Sequence, residues 1–301
     1  MERQRTLPVR KAWYAGSWYS ADNDLLRTQI EQSVGQVSSQ EPDDPIRGPA
    51  RFALLPHAGL AYSSRGLAHL IVNAPSRIDR VVILAPSHNA VVPDDTLSFG
   101  LFSGFETPLG VLESWVTSLE GQGPDASVPI QREHAVEMVL PFLAYLQDTQ
   151  RSPIRVAMAL INQVTDLSSA SRLAESLLGA LEEKELESGQ VMIIASSDFS
   201  HYGQRFGYAP FGTQVDEKVV QKVRDEDLQV ANLLGRCELG PLFLSQRMRR
   251  RTICGIAGAS VVSALARLLD TNGWVADYYT SLDVLGDRAT DFVAYGTVLW
   301  R

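Results

Sequence analysis

Apolar runs of strand length alternate along the chain with stretches of helical spacing. Residues 51–56 (RFALLP), 80–86 (RVVILAP), 154–161 and 191–195 (VMIIA) are short, continuous apolar runs. Unbroken rather than alternating hydrophobicity is the pattern of strands covered on both faces. Between them, residues 64–74 have helical spacing, and residues 133–147 place Val136, Leu140, Leu143 and Leu146 on one stripe. Residues 168–187, rich in Ala, Leu and Glu, predict a long helix. Residues 215–250 are helical in pattern, and residues 257–269 are apolar enough to predict a central helix. Strand patterns return at 275–285 and 292–300, and a turn at Gly286-Asp287 predicts an antiparallel pair. The polar stretches 38–48, 121–129 and 203–212 read as loops. The whole predicts an α/β fold: one domain with a mixed, mostly parallel central sheet and helices on both faces.

The composition fits that reading. The 301 residues are 45% hydrophobic and 21% charged, which excludes a disordered chain. The formal net charge of −8 argues against a nucleic-acid partner, which needs a basic face. The densest basic run, Arg247-Met248-Arg249-Arg250-Arg251, reads as a solvated helix end. Two cysteines are too few for a disulfide scaffold, and a reducing compartment is the default. No apolar segment near the N-terminus suggests a secretory signal, and no run suits a membrane span, so a cytoplasmic location is expected.

Candidate chemistry gathers at the strand ends, where ligands bind in open α/β sheets. Of five histidines, three fall there: His57 in Pro56-His57-Ala58-Gly59, His88 in Pro86-Ser87-His88-Asn89, and His201 in Ser196-Ser197-Asp198-Phe199-Ser200-His201. Parallel strands would bring these ends to one edge. Imidazoles so placed could hold a divalent metal, or each could simply bond backbone at its strand end. Cys254 stands just before the apolar helix, where the helix dipole would favour a thiolate, either as ligand or as redox-active thiol; a small buried hydrophobe is the alternative. Cys237 and His69 read as packing residues. His134 and Glu137, at i and i+3, could supply acid/base groups or be a solvated helix start. Asp198 could orient His201 or cap a helix. No G-x-S-x-G elbow, P-loop or G-x-G-x-x-G after a strand is present. The aromatic segment Trp13-Tyr14-Ala15-Gly16-Ser17-Trp18-Tyr19 either docks over the core or forms an aromatic wall of a cleft.

Ala15-Gly16-Ser17-Trp18-Tyr19, Pro56-His57-Ala58-Gly59, Pro86-Ser87-His88, Thr107-Pro108-Leu109-Gly110, Glu133-His134, Ser196-Ser197-Asp198-Phe199, His201, Gly203-Gln204-Arg205-Phe206 and Cys254-Gly255 follow one another in this order. That series resembles the Memo family, named for a mediator of receptor-driven cell motility. The resemblance runs from about residue 12 to the C-terminus, leaving residues 1–11 as a tail before a domain over 12–301. It implies a fold similar to the class III extradiol ring-cleavage dioxygenases. It also implies metal ligands at His57, His88 and Cys254, with Asp198, His201 and the His134 region facing the same cleft. Family members are linked to reduced iron or copper, to redox chemistry and to phosphotyrosine-peptide recognition. The chain departs from the family at Val139, where members often carry a polar residue.

Two functions are therefore expected from different classes. One is a redox protein dependent on iron(II) or copper, with His201 or His134 as proton donor or base toward a small-molecule substrate. The other is a non-enzymatic signalling module that holds a phosphotyrosine peptide in the same cleft.

Overall fold

The computed structural model describes residues 7–40, 48–115, 123–181, 186–248, 252–286 and 290–301. Most of the loop expected at 38–48, residues 121–122, residues 249–251 of the basic run and Asp287 of the expected turn lie outside the described residues. In chain order the elements are β1 (Val9–Arg10), α1 (Asn23–Gln40), β2 (Phe52–Leu55), α2 (Leu60–Val72), β3 (Arg80–Ala85), β4 (Ser98–Phe99), β5 (Gly104–Thr107) and β6 (Gly110–Ser114). There follow α3 (Ser127–Ile130), α4 (His134–Glu137), α5 (Leu140–Gln150), β7 (Arg155–Leu160), α6 (Leu167–Ala180), β8 (Val191–Ser196) and β9 (His201–Tyr202). The chain closes with α7 (Glu217–Gly235), α8 (Leu239–Met248), α9 (Ile256–Leu268), β10 (Gly273–Thr280), α10 (Ser281–Leu285) and β11 (Phe292–Trp300).

The central sheet is mixed and mostly parallel in its middle, as expected. Its order is β1-β5-β6-β7-β3-β8-β2-β11-β10. From β6 through β7, β3 and β8 to β2 all pairs are parallel, while β2·β11 and β11·β10 are antiparallel. Side chains alternate between the two faces, and both faces are covered. Val82, Leu84, Ile193 and Ala195 pack with α6, α7 and α9. Val81, Ile83, Met192 and Ile194 pack on the opposite side with α1, α2 and α5. Burial on both faces is why these strands need a continuous apolar sequence. Residues 9 and 10, within the stretch read as a tail, pair with β5.

Several boundaries differ from the sequence expectation, each for a local reason. The helix expected at 133–147 is two helices. Pro141, near the start of α5, has no N–H to continue the ladder, and its ring would collide with the carbonyl of Glu137. The helical stretch 215–250 breaks after Gly235, and Cys237 there adopts φ +57°, so it lies between helices rather than within one. The helix expected at 168–187 ends at Ala180, where Leu181 turns extended. The strand expected at 275–285 stops at Thr280, whose hydroxyl and N–H pair with Asp283 in a capping box that starts α10. The helix expected from Ser64 begins four residues earlier at Leu60.

Candidate metal centre

Parallel register builds the site. Leu55 of β2 pairs with Ser196 of β8, and Leu84 of β3 pairs with Ala195, so the segments after these strands leave the sheet side by side. They carry His57, His88 and Asp198 to one edge. The N-terminal end of α9 delivers Cys254 to the same place. Gly255 makes that approach possible: a Cβ there would stand 2.1 Å from the Ser196 carbonyl oxygen. The Gly255 N–H donates to Ser197 Oγ at 2.9 Å, and Thr252 Oγ1 accepts from the His201 N–H while donating to its carbonyl. The two loops are thus laced together around the thiol.

One donor atom each from His57, His88 and Cys254 falls within 4.8 Å of the others. The hydrogen bonds assign the tautomers. Ser196 donates its hydroxyl proton to the Ala135 carbonyl at 2.6 Å, so its oxygen accepts from His57 Nδ1 at 2.9 Å. That leaves the Nε2 lone pair of His57 facing Cys254 Sγ, 3.2 Å away. Glu133, a carboxylate with no proton to give, accepts from His88 Nδ1 at 2.8 Å and frees His88 Nε2 in the same way. Imidazoles held through Nδ1 with Nε2 open are oriented as metal ligands are. With two imidazoles and a sulfur converging, the donor set fits a soft or borderline cation.

Electrostatics agree. Burial, reinforced by the neighbouring His134 and His88, lowers His57 to about 4, so it is neutral at physiological pH. Burial and the Asp198 carboxylate push the Cys254 thiol up to about 12. This corrects the expectation of a dipole-stabilised thiolate: without a cation, desolvation outweighs the helix terminus, and the thiol stands within donating reach of His57 Nε2. Against the cost of burial, interactions with His57 and His201 hold Asp198 below the usual carboxylate range. Asp198 Oδ1 accepts from the His57 backbone N–H at 2.9 Å, and its own N–H donates to Cys254 Sγ at 3.3 Å.

His134 belongs to the cluster, but Glu137 does not. His134 Nδ1 stands 3.2 Å from Glu133 Oε1, and its ring lies 4.4 Å from that of His88 and 5.3 Å from that of His57, centroid to centroid. Burial and the neighbouring His88 ring lower it to about 4. Glu137, read as a partner of His134 or as part of a solvated helix start, is neither: it is buried and accepts from Arg10 Nη1 at 2.7 Å, Tyr14 N at 2.8 Å and Tyr19 Oη at 2.7 Å. It thereby fixes the aromatic N-terminal segment. That segment fulfils both of its readings: Tyr19 is buried, while Trp18 faces the cleft with its ring 4.7 Å from His134. His201 lies farther out, its Nε2 3.8 Å from Asp198 Oδ2 and without a hydrogen-bond partner among the described residues. The cleft in front of these groups encloses about 800 Å³.

Sequence reasoning overlooked the parts played by Glu133 and Ser196. In the sequence Glu133 stands out only as the neighbour of His134, and Ser196 only as part of the run Ser196-Ser197-Asp198-Phe199. A strand-end serine beside a strand-end histidine was the available signal. His69 is buried as expected, with Nε2 3.6 Å from Asp277. Val139 is buried among apolar neighbours.

The sequence profile described as "Memo-like protein" matches residues 10–299. The chain is 27% identical to a "MEMO1 family protein" of Thermococcus onnurineus, over 97% of this chain and 99% of that one. It is 29% identical to "Protein MEMO1" of Homo sapiens and 30% identical to that of Danio rerio, each over 88% of this chain and 86% of the relative. The His/His/Cys cluster therefore sits in a chain that belongs to the Memo-like family.

Proposed function

We propose that the cleft binds one iron(II) or copper(I) ion through His57 Nε2, His88 Nε2 and Cys254 Sγ, and that the protein acts as a metal-dependent oxidoreductase. The observation that carries this reading is the convergence of three donor atoms within 4.8 Å, with both imidazoles already turned by bonds to Ser196 and Glu133. A bound ion would supply a redox couple and open positions for a small-molecule substrate. The thiol must give up its proton on binding, and the Asp198 N–H then donates to the sulfur, stabilising its negative charge. His201 and Asp198 form the pair suited to moving a proton at the outer side of the cluster, since His201 Nε2 has no competing hydrogen-bond partner among the described residues. His134, neutral and with Nδ1 3.2 Å from Glu133 Oε1, presents its other nitrogen as a base or donor.

Protein purified without oxygen is expected to hold about one equivalent of iron or copper by elemental analysis. The His57→Ala and Cys254→Ser variants are expected to lose it. Equal metal content in folded variants and parent would refute the assignment.

The phosphotyrosine-peptide reading ranks second. A guanidinium, that of Arg205, lines the cleft and favours an anion, but Asp198 and Asp291 line it too. Calorimetry with phosphorylated and unphosphorylated peptides decides the matter: a preference for the phosphorylated form supports the module, and equal binding excludes it.

A further inference from the structure

Imidazoles make up part of the cleft wall, and much of the rest is aromatic. Trp18, Tyr62 and Phe206 all line it. Among the described residues, Arg205 is the one Lys or Arg side chain on that wall. Its side chain makes no ion pair among the described residues, and its guanidinium lies over the Phe206 ring at 5.8 Å. The backbone fixes its place. Arg205 sits in a turn of 3-10 helix, Gln204–Phe206, and its N–H donates to Asp291 Oδ1 at 2.9 Å. Gly203, at φ +125°, lets Asp291 come close, because a Cβ there would meet Oδ1 at 2.1 Å. From the cluster outward, contacts run from His57 to Asp198, to His201, and on to Phe206, whose ring is 5.2 Å from that of His201. The cleft wall thus combines imidazoles, one of which has the Cys254 sulfur 3.2 Å from its Nε2, with aromatic rings and a guanidinium.

We propose that Arg205 is an anion subsite that takes the carboxylate of a small aromatic acid. The ring of that acid lies against Phe206 and Tyr62, and its far edge is presented to the His57, His88 and Cys254 cluster. The proposal rests on the reading of that cluster as the reactive centre, and names the substrate class it serves. The planar guanidinium fork matches a carboxylate in two parallel hydrogen bonds. A phosphate dianion suits the cleft less, because a single cation would face it while Asp198 and Asp291 line the same space.

The test titrates the metal-free and the iron(II)-loaded protein, without oxygen at pH 8, with 4-hydroxybenzoate, phenol and phenyl phosphate. Heat or chemical-shift changes are followed for the parent, Arg205→Gln and Arg205→Lys. The parent is expected to bind 4-hydroxybenzoate best. Arg205→Gln is expected to weaken that binding roughly tenfold or more while leaving phenol unchanged, and Arg205→Lys to recover part of the loss. Arg205 is exposed, so the variants are expected to melt with the parent. Equal 4-hydroxybenzoate binding by parent and Arg205→Gln, binding no better than phenol or phenyl phosphate, or no binding by the parent would each overturn the subsite. His57→Ala separates the two readings. Metal retained by His57→Ala, with Arg205-dependent carboxylate binding intact, would sink the metal assignment and leave the anion subsite standing. Metal lost there, with no effect of Arg205→Gln, would do the reverse.

Discussion

Glu133 and Glu137 stand at the two ends of the single turn of α4, and both are fully buried, yet they serve different parts of the molecule. Glu133 accepts from the His88 backbone, the His88 ring and the Ala135 N–H, with the His134 ring also beside it, and so orders the imidazole cluster. Glu137 accepts from Arg10, Trp13, Tyr14 and Tyr19, and so ties down the N-terminal segment. The difference lies in what neutralises each charge. Glu137 has a guanidinium that is itself buried and bonded to the Ile130 and Glu133 carbonyls. Glu133 has imidazole N–H groups, and the bonds from His88 hold it below the usual carboxylate range despite its burial. A buried carboxylate is therefore to be read from the partners the fold brings to it, not from its nearest helical neighbour.

The sharpest way to break the comparison is Glu137→Ala. It strands the Arg10 guanidinium in the core, and such losses cost about 3–5 kcal/mol. Urea denaturation should show a drop of that size. A drop below about 1 kcal/mol would mean that Arg10 finds water or another acceptor, and the ion pair is not what anchors the segment.

Acid should attack the Glu133 side. His57 and His134 titrate near 4 in the folded protein against 6.5 in an ordinary setting, so between these values the unfolded chain binds more protons. Stability is thus full above pH 6.5 and declines as the pH falls toward 4, by about 3 kcal/mol for a shift the size of that of His57. Denaturation midpoints measured from pH 7.5 to 4.5 should follow this course. In His57→Gln the slope should shrink, and an unchanged slope would remove His57 as its source.

Glu133→Gln makes the smallest change of the three. The amide keeps an oxygen for His88 Nδ1 but lacks the charge. Metal affinity should fall about 10- to 100-fold, as for other groups that orient a ligating histidine. Competition with a chelator measures this, and Glu137→Gln, if it folds, should bind metal more nearly as the parent does. Equal losses in both variants would erase the distinction drawn between the two carboxylates.

Much of this protein is legible in the linear chain. The runs RFALLP, RVVILAP and VMIIA identify themselves as interior strands because a strand buried on both faces must be apolar at every position. His57 and His88 stand out because they follow such runs directly. Helix ends were harder, because they depend on single residues: the break before α5 follows from Pro141, and the end of β10 from the pairing of Thr280 with Asp283. The spacing of His134 and Glu137 suggested a pair that Arg10 prevents, and nothing near Glu137 in sequence points to a guanidinium 127 residues away.

The order of apolar strands and the placing of imidazoles just beyond them were thus set by the chain itself, since burial and periodicity are written residue by residue. Which nitrogen of each ring is free, whether the sulfur carries its proton, and which glutamate meets which cation were decided only by the folded molecule. Those properties arise from desolvation and from hydrogen bonds between segments far apart in sequence, and their energies exist only once the segments meet.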